Sequence, residues 1–428
     1  MILAGTLSVL DSTIVVPLLT RIGADFGAES EVAWLVAAYL LGSTVTIPIW
    51  GRWHDMRGER TAMWAALGLF SAATLLAAAA PTLPVLIVAR ALQGIGAGGI
   101  VPLGQAILAS RCSSEERARL QIYYNVAYGA AAGLGPLLGG FLATISWRWA
   151  FLVILPFCAA VGLALWGQLK SGTEAVSVEP FDSRGTVLLT VGLTVLLLGI
   201  ERPNLWALIP IGLALMAVFV WHARTSPGSL IPWTVLGNRI IVACSLLGLI
   251  VGFIQFSYLT YLPALSLKAD PNLNSGLVAM PLTILWVTLG AITGVLAMKF
   301  GTRLLALLSA ACAMAAGVTV AMSGALPSLF AASTLIGMAA GLALIPALLL
   351  AQHNAAHADM GATTSVYVLF RNFGGALGVV VTAVVLQNHG RATTFWMLTA
   401  CAALMLLPIS QMPARRSGKG LAPADSST

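Results

Sequence analysis

Of the fifteen acidic residues in this 428-residue chain, only Asp11 sits deep inside a long apolar run, with Met1 to Leu10 before it and Ile14 to Leu19 after it. A central Asp costs roughly 2.5 to 3.5 kcal/mol on membrane-insertion scales, so acids so placed usually face the protein interior and mark an ion path or proton relay. A basic counterpart lies in the run Arg90-Ala91-Leu92-Gln93-Gly94-Ile95-Gly96-Ala97, itself within an apolar segment. An arginine there must be paired or hydrogen-bonded, and Asp11 is the obvious buried acid to meet it. Attraction to Arg90 favours the carboxylate while burial favours the neutral acid, so Asp11 can gain and lose a proton as a cavity opens to either side. A purely structural ion pair is the other reading of the same residues.

Further polar groups recur at helical spacing. Gln255, Tyr258 and Tyr261 stand three apart, and Tyr367 and Arg371 four apart. Aromatic rings with a few polar groups suit an amphipathic ligand, so these residues and Gln93 are the candidates to line a substrate cavity. For Arg371 a backbone carbonyl is the alternative partner. Gly129, Gly133, Gly135, Pro136, Gly139 and Gly140 fall within twelve residues, leaving one helix face nearly bare for a neighbour to approach and a proline to bend it. The segment Gly51-Arg52-Trp53-His54-Asp55-Met56-Arg57-Gly58-Glu59-Arg60 reads as a short connection between two helices. Its glycines permit a tight turn, and Asp55 is placed to meet a helix N-terminus or a nearby Arg as a charge lock.

These residues must be positioned by a membrane. The chain is 59% hydrophobic and 9% charged, with a mean hydropathy of +0.93, a composition that no water-soluble domain of this size tolerates. Apolar runs of about twenty residues, each able to cross roughly 30 Å of hydrocarbon, predict spans near 2–22, 32–51, 61–80, 84–109, 119–144, 148–169, 185–201, 205–223, 239–267, 275–298, 303–325, 328–352, 361–387 and 392–411. That makes fourteen helices and leaves no room for a soluble domain. With the N-terminus inside, fifteen of the twenty-two Lys and Arg fall on the cytoplasmic side and five outside, Arg90 and Arg371 lying within helices. The bias places both termini in the cytoplasm of a multi-pass protein of a cell's inner membrane. It also assigns the net charge of +7 to anionic lipid headgroups rather than to nucleic acid.

Polar stretches at 170–185 and 222–239 divide the chain into a six-helix bundle (1–169), a linker with a two-helix insert (170–238), a second six-helix bundle (239–411) and a tail (412–428). Glu201 and Arg202 in the insert read as a solvated loop. Gly51, Asp55, Gly58 and Arg60 are matched in spacing by Gly294, Met298, Gly301 and Arg303, the mark of a duplicated half with the substrate site at the interface. The chain starts almost inside its first helix, so a basic N-terminal tail is an expected extension. Enzyme chemistry is not expected: there is no metal-spaced His cluster, no nucleophile with its base, and the five cysteines have no metal spacing. No lysine sits in a Gly-Lys-Ser/Thr phosphate loop, so nucleotide energy is not expected either.

Taken together these segments resemble the major facilitator superfamily, and within it the fourteen-helix drug:proton antiporters. Leu10-Asp11-Ser12-Thr13-Ile14-Val15 is similar to that family's first-helix signature, Gly51 to Arg60 to the cytoplasmic signature, and Arg90 to Ala97 to the fourth-helix signature tied to proton transfer. Gly135-Pro136 with Gly139-Gly140 resembles the fifth-helix antiporter signature, and Trp147-Arg148-Trp149-Ala150-Phe151 adds to the likeness. The chain departs from the pattern at Val16, where Asn is usual, at Glu59, where Arg or Lys is usual, and at Ala131, often Gly. The resemblance implies two halves rocking about a central cavity, exporting amphipathic compounds while protons enter, with the proton gradient in place of any cofactor. The tenth helix carries no acid, which argues for neutral or weakly anionic substrates over strongly cationic ones. A dedicated exporter of an endogenous metabolite such as a siderophore or lipid-like product, and an uptake symporter, are the alternatives. The short outer connection Gln387 to Arg391 offers little surface for a periplasmic adaptor.

Overall fold

The computed structural model describes residues 2–28, 31–111, 114–166, 182–201, 203–226, 229, 231, 233–356 and 359–413. Among them every regular element is a helix, the expected answer to a solvent that offers the backbone no hydrogen bonds. The first part of the chain forms α1 (Ile2–Ile14), α2 (Leu19–Phe26), α3 (Ala33–Ala79), α4 (Leu83–Arg111), α5 (Ser114–Ile145) and α6 (Arg148–Leu165). A hairpin of α7 (Ser183–Glu201) and α8 (Leu208–Thr225) follows, then the short α9 (Trp233–Leu236). The rest comprises α10 (Arg239–Ala269), α11 (Gly276–Phe300), α12 (Thr302–Met322), α13 (Leu326–His353), α14 (Met360–Leu404) and α15 (Leu406–Ser410). The expected linker lies largely outside the described residues, as does most of the tail.

Eleven segments among the described residues are long and apolar enough to cross a membrane. One of them, Met360–Ser410, runs 51 residues across a break at Gly390, and two further apolar stretches, Ala33–Ile47 and Gly129–Ile145, lie within the longer helices α3 and α5. Two expected elements have more detail than the sequence indicates. The first span is not one helix: a 3-10 turn at Val16–Leu18 separates α1 from α2, because Pro17 has no N–H to continue the ladder and its ring crowds the preceding turn. The connection expected over Gly51 to Arg60 is a kink at Gly58 that joins two helical stretches of α3. Only Gly58 leaves the helix, at φ 82° and ψ 162°, a region that a residue with a Cβ rarely enters. Gly301, its partner in the repeat, has φ 86° and ψ 143° between α11 and α12. Gly390 breaks α14 in the same way at φ 76° and ψ −178°.

Two large hydrophobic cores and a small third one result. One large core is built from α1 to α6 with Leu197 of the hairpin, the other from α9 to α15 with Val16, Leu189, Leu193 and Phe219, and the small one joins Val9 and Leu10 of α1 to Ala131 and Ala132 of α5. Four residues of α14, Ala376, Val379, Val380 and Ala383, belong to the first core and bind the two halves together. Large apolar side chains such as Leu163, Trp166 and Met322 stand exposed on the outside, where lipid is their solvent.

Candidate functional site

Asp11 and Arg90 meet inside the first bundle. Arg90 Nη1 donates to Asp11 Oδ2 at 2.9 Å and to Gln93 Oε1 at 3.0 Å, and its Nε donates to the Leu35 carbonyl at 3.1 Å. Gln93 Nε2 donates to Asp11 Oδ1 at 3.3 Å and to Thr74 Oγ1 at 2.9 Å. The Tyr39 ring covers the guanidinium, 4.3 Å from its centroid to the Arg90 Cζ. Asp11 and Gln93 are 0% exposed and Arg90 1%. A charge pair at such depth persists only when its remaining donors and acceptors are met as well, and Leu35, Tyr39 and Thr74 do this from α3. Sequence reading missed all three, since a carbonyl, a ring face and a threonine carry no motif.

Glycines bring the helices close enough. A Cβ on Gly94 would strike the Tyr39 carbonyl, one on Gly42 the Ala91 carbonyl, and one on Gly98 the Ser43 carbonyl, so α3 and α4 run backbone against backbone. This lets the Arg90 side chain reach Leu35 rather than bend away. Trp50 Nε1 donates to the Ile95 carbonyl at 2.7 Å further along the same seam.

The glycine-rich stretch of α5 serves two neighbours. Gly135 abuts Thr13 and Gly139 abuts the Ile14 carbonyl, both on α1 within three residues of Asp11. The other side meets α11 in the second half. There the Pro136 carbonyl occupies the space that a Cβ on Gly276 would need, and Gly140 abuts Asn274. Asn274 Nδ2 also donates to the Leu137 carbonyl at 3.4 Å. One helix thus connects the Asp11 helix to the opposite half.

The second half distributes its candidates more widely. Tyr258 is wholly buried against Phe395, ring centroids 5.2 Å apart, and its hydroxyl has no hydrogen-bond partner among the described residues. Gln255 is buried beside a void of about 10 Å³, the size of one water, with both amide atoms unpartnered among the described residues. Both side chains sit in the core of the bundle. Tyr367 is buried too, donating to the Leu344 carbonyl at 2.7 Å. Arg371 is only partly buried. Its Cζ stands 4.8 Å from the Trp286 ring centroid and 5.9 Å from that of Phe256, a cation held by two aromatic faces. Next to it, Asn372 Nδ2 donates to Thr44 Oγ1 of α3 at 2.8 Å, directly across the halves. Tyr261 donates to the Val379 carbonyl at 2.9 Å and borders a cavity of about 540 Å³ between the halves. Trp286, Asn372 and Thr44 went unread in the sequence because each sits in an unremarkable apolar run.

Of the Gly51 to Arg60 segment, Gly51 has open space around the position of a Cβ. Arg60 is exposed, and the Asp55 side chain lies outside the described residues. No group of three or more His, Cys, Asp or Glu able to hold a metal ion occurs among the described residues.

A membrane protein, helical throughout its described residues, with a buried acid–arginine pair in one half and a partly exposed cation in the other has the construction of a transporter. The model of the Major Facilitator Superfamily matches residues 1–379, and the chain belongs to that family. It is 28% identical over 406 residues to the multidrug transporter protein MdtP of Bacillus subtilis (strain 168), covering 90% of this chain and 74% of that protein. It is likewise 28% identical over 412 residues to the efflux pump FUS6 of Gibberella fujikuroi, covering 90% and 73%. With the uncharacterized MFS-type transporter Rv1877 of Mycobacterium tuberculosis (strain ATCC 25618 / H37Rv) it shares 28% over 397 residues, 88% of this chain but 57% of that protein's length. Among solved structures, a POT family transporter in complex with 5-aminolevulinic acid aligns at a TM-score of 0.71 and 13% identity, covering 96% and 93% of the two chains. A D-xylose-proton symporter aligns at 0.69 and 17%, covering 96% of each. At those identities the likeness is one of fold.

Proposed function

We propose that this chain is a proton-coupled antiporter that exports amphipathic, neutral or weakly anionic compounds by alternating access. It works in a cell's inner membrane with both termini in the cytoplasm. The observation that carries the reading is Asp11, a fully buried acid held by Arg90 and Gln93 within an apolar bundle. A carboxyl so placed exchanges its proton when the halves part and water reaches it, which is what coupling demands. Protonation removes the charge that holds Arg90 and turns an acceptor oxygen into a donor, so the contacts between α1 and α4 must rearrange. Because Gly135 and Gly139 carry α1 on α5, and Pro136 carries α5 on Gly276, the rearrangement is felt at the seam between halves.

Arg371, held between Phe256 and Trp286, gives the second half a cation suited to weakly acidic or aromatic compounds. The names of the B. subtilis and G. fujikuroi relatives support efflux as the direction. The proton gradient supplies the energy, with no cofactor, nucleotide, nucleic acid or periplasmic adaptor in the scheme; lipid, protons and the substrate are the partners.

The test is lumenal pH in proteoliposomes under an imposed proton gradient, while a panel of amphipathic compounds is added. Proton movement that depends on the compound and disappears in Asp11→Asn is the expected result. Undiminished movement in the variant removes Asp11 from the scheme, and co-movement of compound and proton in one direction makes the chain a symporter.

A further inference from the structure

The cavity of about 540 Å³ lies away from the Asp11 cluster, at the end of the molecule that carries α2 and the last turns of α10. It straddles the halves: Leu19, Thr20 and Gly23 of α2 line it together with residues of α10 and with Ala383, Leu386 and Gln387 of α14. Its size is that of a small-molecule site, which runs at about 300 to 1,000 Å³. From α10 it receives Thr260, Tyr261, Ala264, Leu267 and Lys268, offsets of 0, 1, 4, 7 and 8 that make a single stripe along one helix face.

Two groups on that stripe ask for a ligand. Thr260 is 4% exposed, and its hydroxyl has no hydrogen-bond partner among the described residues. A buried hydroxyl is normally satisfied, so this one awaits a water or a bound molecule. Lys268 is exposed at the rim and is the one charged residue among the described residues lining the cavity. The nearest charges of the facing helix, Arg21 and Asp25, pair with each other at 3.4 Å, and Asp25 also accepts from Trp147 Nε1 at 3.0 Å. Eight residues at 1.5 Å each put Thr260 and Lys268 about 12 Å apart along the helix axis. Ala264 and Leu267 lie between them as an apolar floor, with Leu19 opposite.

We propose that this cavity is a binding station for amphipathic monoanions roughly 12 Å long. The acid group meets Lys268, the apolar body lies on Ala264, Leu267 and Leu19, and a hydrogen-bonding group at the far end meets Thr260. The proposal rests on the export reading only for its place in the transport cycle, as the last station a substrate leaves. Because both halves contribute walls, any rocking of the halves changes the station's shape and so its affinity.

The experiment is equilibrium binding of 6-methoxy-2-naphthylacetate to the purified full chain in detergent, compared with its primary amide and with 2-naphthylacetate. The probe has a carboxylate at one end and an ether oxygen at the other. The acid should bind about tenfold more tightly than the amide, the scale of one charge-assisted contact. Lys268→Gln should erase that difference. Thr260→Val should weaken the methoxy acid about fivefold and leave 2-naphthylacetate unchanged, while Ala264→Trp should abolish binding of all three. Lys268 is exposed, so its variant tests the site without endangering the fold. Equal binding of acid and amide, binding that survives Ala264→Trp, or absence of binding to the native chain overturns the station. Tight binding in detergent without movement of the compound in proteoliposomes leaves the station standing and removes the export reading instead.

Discussion

Asn372 of α14 donates a 2.8 Å hydrogen bond to Thr44 of α3, so the residue beside Arg371 is tied to the opposite half of the molecule. Thr44 in turn donates to the Leu40 carbonyl at 2.7 Å, which fixes its hydroxyl as the acceptor. Asn372→Ala and Thr44→Val should each lower the melting temperature, and the double variant should cost less than the sum. A coupling of about 0.5 to 1.5 kcal/mol is the magnitude for one such bond. Additive losses in a thermal-unfolding cycle would deny that the two residues act on each other.

The Asp11–Arg90 pair separates stability from coupling. Asp11→Leu alone leaves a buried guanidinium without its counter-charge, a change that costs about 3 to 5 kcal/mol where buried pairs have been broken. Adding Arg90→Met should recover most of that loss, because removing both charges ends the desolvation problem. Proton movement should stay absent in the double variant. Thermal unfolding in detergent beside lumenal pH would separate the two effects, and a double variant no more stable than Asp11→Leu would place the cost elsewhere.

Two glycines with opposite surroundings make a direct comparison. A Cβ on Gly139 meets the Ile14 carbonyl, whereas one on Gly51 meets nothing within 4 Å. Gly139→Ala should therefore destabilise by about 1 to 3 kcal/mol, the range for overpacking, and impair transport. Gly51→Ala should gain about 0.5 to 1 kcal/mol, since alanine is the better helix residue. The two melting temperatures should move in opposite directions; a shared sign would contradict the packing.

Gly58 and Gly301 occupy nearly the same backbone region, at φ 82° and 86°, and this makes a prediction about the repeat. Gly58→Ala and Gly301→Ala should cost similar amounts, about 1 to 3 kcal/mol each. They should add in the double variant, because the two turns serve different bundles. Denaturation midpoints of the three variants suffice to check it.

Read alone, the sequence determined that this protein lives in a bilayer, that it is helical, and that Asp11 and Arg90 must find each other. Each conclusion follows from a cost that a single residue or run incurs in hydrocarbon, whatever the neighbours are. The glycines of α5 were legible as a bare face for the same local reason, but not the two helices they serve. Tertiary structure alone decided which way each polar group faces. Helices that are apolar all round carry no amphipathic stripe to report their rotation, so nothing in the spacing of Gln255, Tyr258 and Tyr261 told that the first two turn into the bundle core while the third borders the cavity. Trp286, Asn372 and Thr260 gain their significance from partners more than a hundred residues away or on another helix, and from space left open between halves. Such relations exist only once the helices are packed, because they are properties of distance in space rather than of residue type.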